Sequence, residues 1–202
     1  TIGGGIRGAF VTDMNIPVQP AFDIKYRVIN PMNDTRVGAG YALHDLSLRA
    51  SVSKSAKVPT LNDRYWGGVT ENLKAESGTT YEFGADYSAL YKSWEFKGFA
   101  TVYLSDVKNW IRWLPAGEVW RPKNIPKVES SGLETGITVV KKWMEWRASA
   151  DINYTFTKVT VKESLIKNDP SVGHQMAYQP KHALSANVEA SYKKFSTAIS
   201  YH

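Results

Sequence analysis

The chain contains no cysteine, which excludes disulfide bridges and any metal site that depends on a thiolate ligand. It also has no run of about 18 apolar residues, so no transmembrane helix is predicted. Histidine is scarce: the chain has 4, and they lack the spacing of a metal site. Whether the chain lies in a membrane therefore has to be decided from other patterns.

The formal net charge is +6, yet the basic residues are interleaved with acidic ones and form no stripe or cluster. A nucleic-acid partner is therefore not expected, because such binding needs a concentrated basic surface. A hydrophobic content of 43%, with 12% aromatic residues, excludes general disorder. The chain can bury a core or cover a large apolar surface.

Residues 144–156 read M-E-W-R-A-S-A-D-I-N-Y-T-F, an alternation of apolar and polar residues at every step. Because successive strand side chains point to opposite faces, this segment forms a strand with one apolar face and one polar face. A helix would scatter the same residues around its circumference. The pattern therefore predicts a two-faced β-strand.

The same alternation recurs along the chain and predicts about nine strands and no convincing helix. The clear examples are residues 21–28, 46–53, 80–87 and 184–192. Weaker ones are residues 6–12, 94–106, 128–140 and 195–201. The fold class is therefore all-β, with antiparallel strands.

Short and long connections alternate between these strands. Residues 91–93, 141–143 and 193–194 are tight links, whereas residues 56–77, 111–127 and 158–179 are long loops rich in Pro, Gly, Asn and charge. Outer-membrane barrels have this asymmetry, with brief periplasmic turns and extended extracellular loops. Residues 30–45 depart from it, because they are long where a short turn is expected.

A second observation concerns tryptophan and tyrosine, which favour the membrane interface. Several flank the tight links or lie where a strand enters a long loop: Tyr87, Tyr91, Trp94, Trp110, Trp113, Trp143, Trp146 and Tyr192. A soluble β-sandwich would also alternate, with its apolar face on a protein core. Strands as long as residues 94–106 favour a transmembrane barrel, as does Arg147, which would cost about 2–4 kcal/mol facing lipid and little facing a wet lumen.

One segment, from Arg49 to Tyr87, resembles a stretch in the barrel of TonB-dependent outer-membrane receptors. A strand there is followed by a Pro-Thr-Leu loop, an aromatic residue, Asn, Leu-Lys, Glu, and a strand with Tyr-Glu-x-Gly. The matching residues are Pro59, Thr60, Leu61, Tyr65, Asn72, Leu73, Lys74, Glu76, Tyr81, Glu82 and Gly84. Many members have a proline before that glutamate, and here the residue is Ala75.

Three later motifs follow in the order of the same family. Residues 102–111 resemble its strand leading into a loop, residues 131–136 its Gly-x-Glu strand, and residues 178–183 its Pro-Lys-His segment at a strand start. The resemblance covers about three quarters of the chain. It is closest to receptors for iron–siderophore complexes and cobalamin.

This resemblance implies an up-and-down transmembrane β-barrel of about 22 strands, of which this chain supplies about nine. Residues 1–202 are interpreted as a partial barrel domain, without the family's plug domain or terminal strand. The implied location is the outer membrane of a Gram-negative bacterium, in contact with its lipid. The implied function is active import of a scarce ligand, an iron–siderophore complex, haem or cobalamin, driven by the TonB complex through the plug. A surface lipoprotein is a further expected partner.

Two alternatives from other classes are a passive porin-like barrel and a soluble β-sandwich binding module. No catalytic constellation is present, so we do not expect an enzyme, and no cofactor or metal is implied. Candidate ligand-binding residues combine aromatic surfaces with positive charge in the long loops. They are Arg64, Tyr65, Trp66, Arg112, Trp113, Trp120, Arg121, His174 and Tyr178. Candidate residues facing the lumen or the plug are Glu82, Asp86, Glu134, Arg147 and Asp151.

Overall fold

The computed structural model describes residues 1–12, 14–29, 43–65 and 72–202. These residues form nine antiparallel strands, each hydrogen-bonded to the next in sequence order, in one sheet. The strands are β1 (Ile2–Arg7), β2 (Gln19–Ile29), β3 (Leu43–Lys57), β4 (Glu76–Tyr91), β5 (Trp94–Ala116), β6 (Val119–Trp143), β7 (Trp146–Glu163), β8 (His182–Tyr192) and β9 (Phe195–Tyr201). One short helix, α1 (Leu61–Tyr65), follows β3. No helix among the described residues is both long and apolar enough to span a membrane.

The predicted all-β antiparallel fold is confirmed, and within the described residues it is a single layer. The strand order rules out two packed sheets, so the soluble-sandwich alternative does not apply to this part of the chain. The sheet is not closed, and β1 and β9 form its two edges. Consecutive pairing of this kind is the up-and-down topology of barrel walls.

Cross-strand register keeps the two faces separate over the width of the sheet. Ile152 on β7 lies opposite Ile137 on β6, and the adjacent Asp151 lies opposite Thr138. The apolar face is uncovered: Ile137 is 59% exposed and Val188 is 55% exposed. The polar face carries ion pairs and side-chain hydrogen bonds, such as those of Arg49 with Asp86 and of Thr138 with Asp151. The apolar face therefore has no protein partner among the described residues.

At one end of the sheet, an aromatic pair closes each of three tight turns. The closing pairs are Tyr91 with Trp94, Trp143 with Trp146, and Tyr192 with Phe195. The Trp143 and Trp146 rings stack with centroids 5.7 Å apart. Aromatic cross-strand pairs stabilise a sheet by about 0.2–1 kcal/mol each. We call the end of the sheet that carries these three turns the turn end, and the opposite end the loop end.

One tight turn lies elsewhere than predicted. The expected link at residues 141–143 belongs to β6, and the chain turns at Met144 and Glu145. Met144 adopts a left-handed backbone with φ 51° and is 99% exposed, so it does not belong to the apolar face. The stacked tryptophan pair fixes the register and moves the turn to this position.

The loop end differs further from the sequence-based expectation. Residues 111–127 were predicted as a loop. They form the loop-end parts of β5 and β6, which are joined by a turn at Gly117 and Glu118. Strand β7 likewise continues to Glu163, into the predicted loop at 158–179. The first strand is Ile2–Arg7 and not residues 6–12. Most of the unusual segment 30–45 lies outside the described residues.

Glycines on the polar face allow long side chains to cross a whole strand. The Arg49 side chain on β3 passes over Gly84 on β4, and its Nη2 donates a 2.6 Å hydrogen bond to Thr101 Oγ1 on β5. Tyr103 on β5 passes over Gly132 on β6, and its hydroxyl lies 3.1 Å from Thr157 Oγ1 on β7. The crossing side chains therefore explain why glycine stands at these positions of the Tyr-Glu-x-Gly and Gly-x-Glu motifs.

We expect Gly132→Ala to lower the free energy of unfolding of the sheet by about 1–3 kcal/mol, the usual cost of overpacking. A Cβ there would collide with the Phe156 carbonyl oxygen and lie 2.8 Å from the Tyr103 ring. The control is Gly98→Ala, whose Cβ would approach only the Gly136 carbonyl oxygen, at 3.5 Å. The stability of both variants is measured on the intact protein, from the temperature at which its electrophoretic mobility changes from that of the folded to that of the unfolded form. Equal stability of the two variants would contradict the crossing-side-chain interpretation.

Candidate functional site

The long β5–β6 hairpin dominates the loop end and carries four of the predicted ligand-binding residues. Strands of 23 and 25 residues exceed the roughly 9–11 residues that a membrane-spanning strand needs, so the hairpin extends beyond the rest of the sheet. Arg112 lies opposite Lys123, Trp113 opposite Pro122, and Leu114 opposite Arg121. These side chains are therefore held by strand pairing and not by a loose loop.

A cavity of about 340 Å³ lies on the polar face, and a second of about 330 Å³ lies beside the hairpin. The second is the candidate ligand site, because it brings together residues that are distant in sequence. Its lining includes Arg112, Trp113 and Trp120 from the hairpin and Tyr178 from the segment after β7. The Tyr178 side chain is 93% exposed, which makes this site accessible from outside. Three aromatic rings and one guanidinium therefore line one cavity.

Two further lining residues, Trp110 and Met176, were not among the predicted site residues. Met176 is buried in a cluster with Ile125, Val128, Val159 and Val161, and Trp110 packs against that cluster. The Met176 N–H donates to the Val159 carbonyl at 2.8 Å, which fixes the segment that carries Tyr178. A lone methionine in a polar loop gives no sequence signal for this role, whereas Trp110 appeared in the sequence only as an interfacial residue.

The remaining predicted residues lie elsewhere. Arg64 and Tyr65 are on α1, where the guanidinium carbon lies 5.3 Å from the centre of the Tyr65 ring. Trp66 lies outside the described residues. Arg121 is on β6 and does not line the hairpin cavity. The exposed His174 ring nitrogen lies 3.2 Å from the Val172 carbonyl oxygen in its own loop.

Helix α1 is anchored to the hairpin by the Pro-Thr-Leu motif. The Thr60 hydroxyl accepts from the Asp63 N–H at 3.1 Å, and Asp63 Oδ2 accepts from the Thr60 N–H at 2.9 Å. This reciprocal pair is a capping box with aspartate in place of the usual Glu or Gln. Trp113 Nε1 then donates to Asp63 Oδ1 at 3.0 Å. The motif therefore positions one wall of the candidate site.

The Leu-Lys-x-Glu part of the motif attaches the same loop at a second point. Asn124 on β6 accepts from the Lys74 N–H at 2.9 Å and donates to the Lys74 carbonyl at 3.0 Å. Glu76 Oε1 accepts from the Ile111 N–H at 2.9 Å. These contacts pair motif residues with backbone groups or with a hairpin side chain. The family motif therefore encodes a loop docked on the hairpin.

A larger cavity of about 540 Å³ adjoins the site, lined by Arg112, Lys123, Ser164 and Asp169 among others. The pKa of Asp169 is lowered, first by the hydrogen bond from Ser164, then by those from Ser171, and also by the charge of Arg112. This carboxylate therefore stays ionised near neutral pH. It partly offsets the positive charge of Arg112 on that side.

The five residues predicted to face the lumen all lie on the polar face of the sheet. Asp86 lies 3.4 Å from Arg49 Nε, and Glu82 accepts from the Ser51 hydroxyl at 3.1 Å. Asp151 accepts from the Thr138 hydroxyl at 2.7 Å. Glu134 is opposite Thr101 and Thr155, and Arg147 is opposite Lys142 and Ser191. Their contact with a plug remains a prediction.

We expect Asp63→Ala to undock α1, because Trp113 Nε1 loses its acceptor and the helix loses its cap. Hydrogen exchange of residues 60–65 in the intact protein should become about 10- to 150-fold faster, since a hydrogen bond to a charged group contributes about 1.5–3 kcal/mol. The control is Asn62→Ala, an exposed position on the same helix. Unchanged exchange in Asp63→Ala would contradict the docking role.

The same contact should depend on pH. Burial raises the pKa of Asp63, but the hydrogen bonds from Thr60 and Trp113 and the charge of Lys57 outweigh it and leave the pKa lowered. A lowered pKa stabilises the docked state above the ordinary value of 3.8, and this stabilisation is lost as the pH falls through the lowered value. Exchange at residues 60–65 should therefore be constant from pH 7 to 5 after correction for intrinsic rates. It should rise below pH 3.8 in the wild type but not in Asp63→Ala.

Comparison with known proteins agrees with this geometry. No curated protein shows a significant match to the chain. A family model described as TonB dependent receptor-like, beta-barrel matches residues 22–201, nearly the whole chain. The chain therefore belongs to the β-barrel family of TonB-dependent receptors.

Proposed function

We propose that the protein imports a scarce ligand, an iron–siderophore complex, haem or cobalamin, through the outer membrane of a Gram-negative bacterium. Membership of the receptor family gives the general role of an outer-membrane transport receptor. The ligand class is our inference from the candidate site. A passive porin is disfavoured because the matching family is one of receptors.

The inferred ligand class rests on the cavity beside the hairpin. Trp113, Trp120 and Tyr178 offer flat surfaces for a conjugated or aromatic ligand, and Arg112 offers a planar cation beside them. Such rings stack on planar groups and guanidinium binds carboxylate in a bidentate manner, so the mixture suits an anionic chelate or a large conjugated ring. The volume of about 330 Å³ is at the lower end for a ligand pocket, so a siderophore complex, haem or cobalamin would also extend into the adjoining cavity of about 540 Å³, which shares Arg112.

The energy source and partners follow from family membership. We propose that the TonB complex drives import through a plug domain, and that a surface lipoprotein is a further partner. We also propose that the protein is not an enzyme. In support, His44 and His182 are hydrogen-bonded to Tyr87 and Tyr154, at 2.6 and 2.8 Å, which gives these rings a structural role in the sheet.

We expect a strain that lacks this protein to grow poorly when iron–siderophore, haem or cobalamin is the single source, for one of the three. The wild-type gene should restore growth. The double variant Arg112→Ala with Trp120→Ala should need roughly tenfold more ligand for half-maximal growth, because a cation–π or stacking contact contributes about 0.5–2 kcal/mol.

The matched control removes the same kinds of group from another part of the loop end, Arg7→Ala with Phe10→Ala. It should restore growth like the wild type. Normal growth of the deletion strain on all three sources would refute the proposed ligand class. Full rescue by the cavity variant would leave import intact and exclude this cavity as the ligand site.

A further inference from the structure

Five lysines lie where the apolar face of the sheet reaches the loop end. We call them the loop-end lysines: Lys54, Lys108, Lys127, Lys158 and Lys162. Lys54 is two residues beyond Val52 on β3, and Lys158 is two residues beyond Phe156 on β7, so each continues the apolar face of its strand. Lys108 follows Leu104 by four residues on β5 in the same way.

Two of these lysines have acidic partners and three do not. Lys127 Nζ lies 3.2 Å from Asp106, and Lys162 Nζ lies 2.9 Å from Glu129. Lys54, Lys108 and Lys158 are exposed and form no ion pair with any residue that the structure describes. Lys108 also lies directly opposite Lys127, a like-charge pair that destabilises a sheet by itself. The loop-end lysines therefore carry excess positive charge that the described residues do not neutralise.

Lysines at the turn end are engaged differently. Lys92, Lys141 and Lys193 each lie over an aromatic ring, at 5.2, 4.5 and 5.2 Å from its centre. Lys193 also pairs with Glu145 at 3.1 Å. The rims of the apolar face therefore differ: one has lysines that contact protein groups, and the other has three lysines without such partners.

We propose that the loop-end lysines bind the phosphate groups of lipid headgroups in the membrane leaflet at that end. The apolar residues beneath them would contact the acyl chains, so the two parts of one lipid are matched by adjacent parts of one face. Lysine is a flexible point charge suited to phosphate, and its stem can lie along apolar surface while the ammonium reaches the headgroup layer. Lys54, Lys108 and Lys158 are on alternate strands, which are about 10 Å apart across the sheet. The register places Lys108 two residues further toward the loop end than Lys54 and four further than Lys158. Such a spread set of charges suits a lipid with more than one phosphate.

This inference goes beyond the imported ligand and does not depend on its identity. The test uses the intact receptor in dodecyl maltoside and titrates it with diphosphoryl lipid A, the same lipid after enzymatic removal of both phosphates, or inorganic phosphate. Lipid binding is measured by native mass spectrometry at low salt. The test variant is Lys54→Gln, Lys108→Gln and Lys158→Gln together. The control, with the same loss of charge, is Lys92→Gln, Lys141→Gln and Lys193→Gln together.

The wild type and the turn-end control should retain the diphosphorylated lipid. The loop-end variant should bind it on the order of a hundredfold more weakly, from about 1 kcal/mol for each lysine. Arginine at the same three positions should restore binding, and heat-dependent gel mobility checks that each variant is folded. Equal loss in both triple variants, or binding unchanged by dephosphorylation, would overturn the proposal. So would equally tight binding of inorganic phosphate, which would indicate an ion site and not a lipid surface.

Discussion

Cross-strand register is the constraint on which the rest of this structure depends. Because side chains alternate with a period of two, a slip of one residue in any strand would turn its apolar residues to the polar face. The crossing contacts Arg49 to Thr101 and Tyr103 to Thr157 each join two strands that flank a third. The glycines beneath them leave the space that these side chains occupy. Register is therefore fixed by side chains as well as by the backbone ladder.

The two ends of the sheet use the same register for different purposes. At the turn end, paired aromatic rings close tight hairpins and fix which residues of the two strands are paired. At the loop end, the β5–β6 hairpin extends beyond the other strands and provides a surface to which α1 and the segment after β7 attach. The main motif of the family lies at the junction, where Asp63 and Glu76 accept hydrogen bonds from the hairpin. The candidate ligand site forms because these separate segments are held on one support.

Most of the wall could be predicted from the sequence, because the period-two pattern is strong in residues 21–28, 80–87 and 184–192. The upper hairpin could not, since Pro115, Gly117 and Pro122 are typical of loops and their pairing depends on contacts with distant segments. The turn at Met144 was missed because an apolar residue there fits the alternation. Of the predicted ligand residues, Arg112, Trp113, Trp120 and Tyr178 converge. Arg64 and His174 do not, because composition indicates which residue types suit a ligand but not which loops meet.

The docked hairpin has a consequence for the thermodynamics of recognition. A site on a disordered loop loses backbone conformational freedom when its ligand binds, at about 1–2 kcal/mol for each residue that becomes fixed. Here the backbone that carries Arg112, Trp113 and Trp120 is already ordered by strand pairing, and Met176 anchors the segment of Tyr178. Much of that entropy is lost during folding, before any ligand arrives. The wall of the barrel thus acts as a preorganising element for the site outside it.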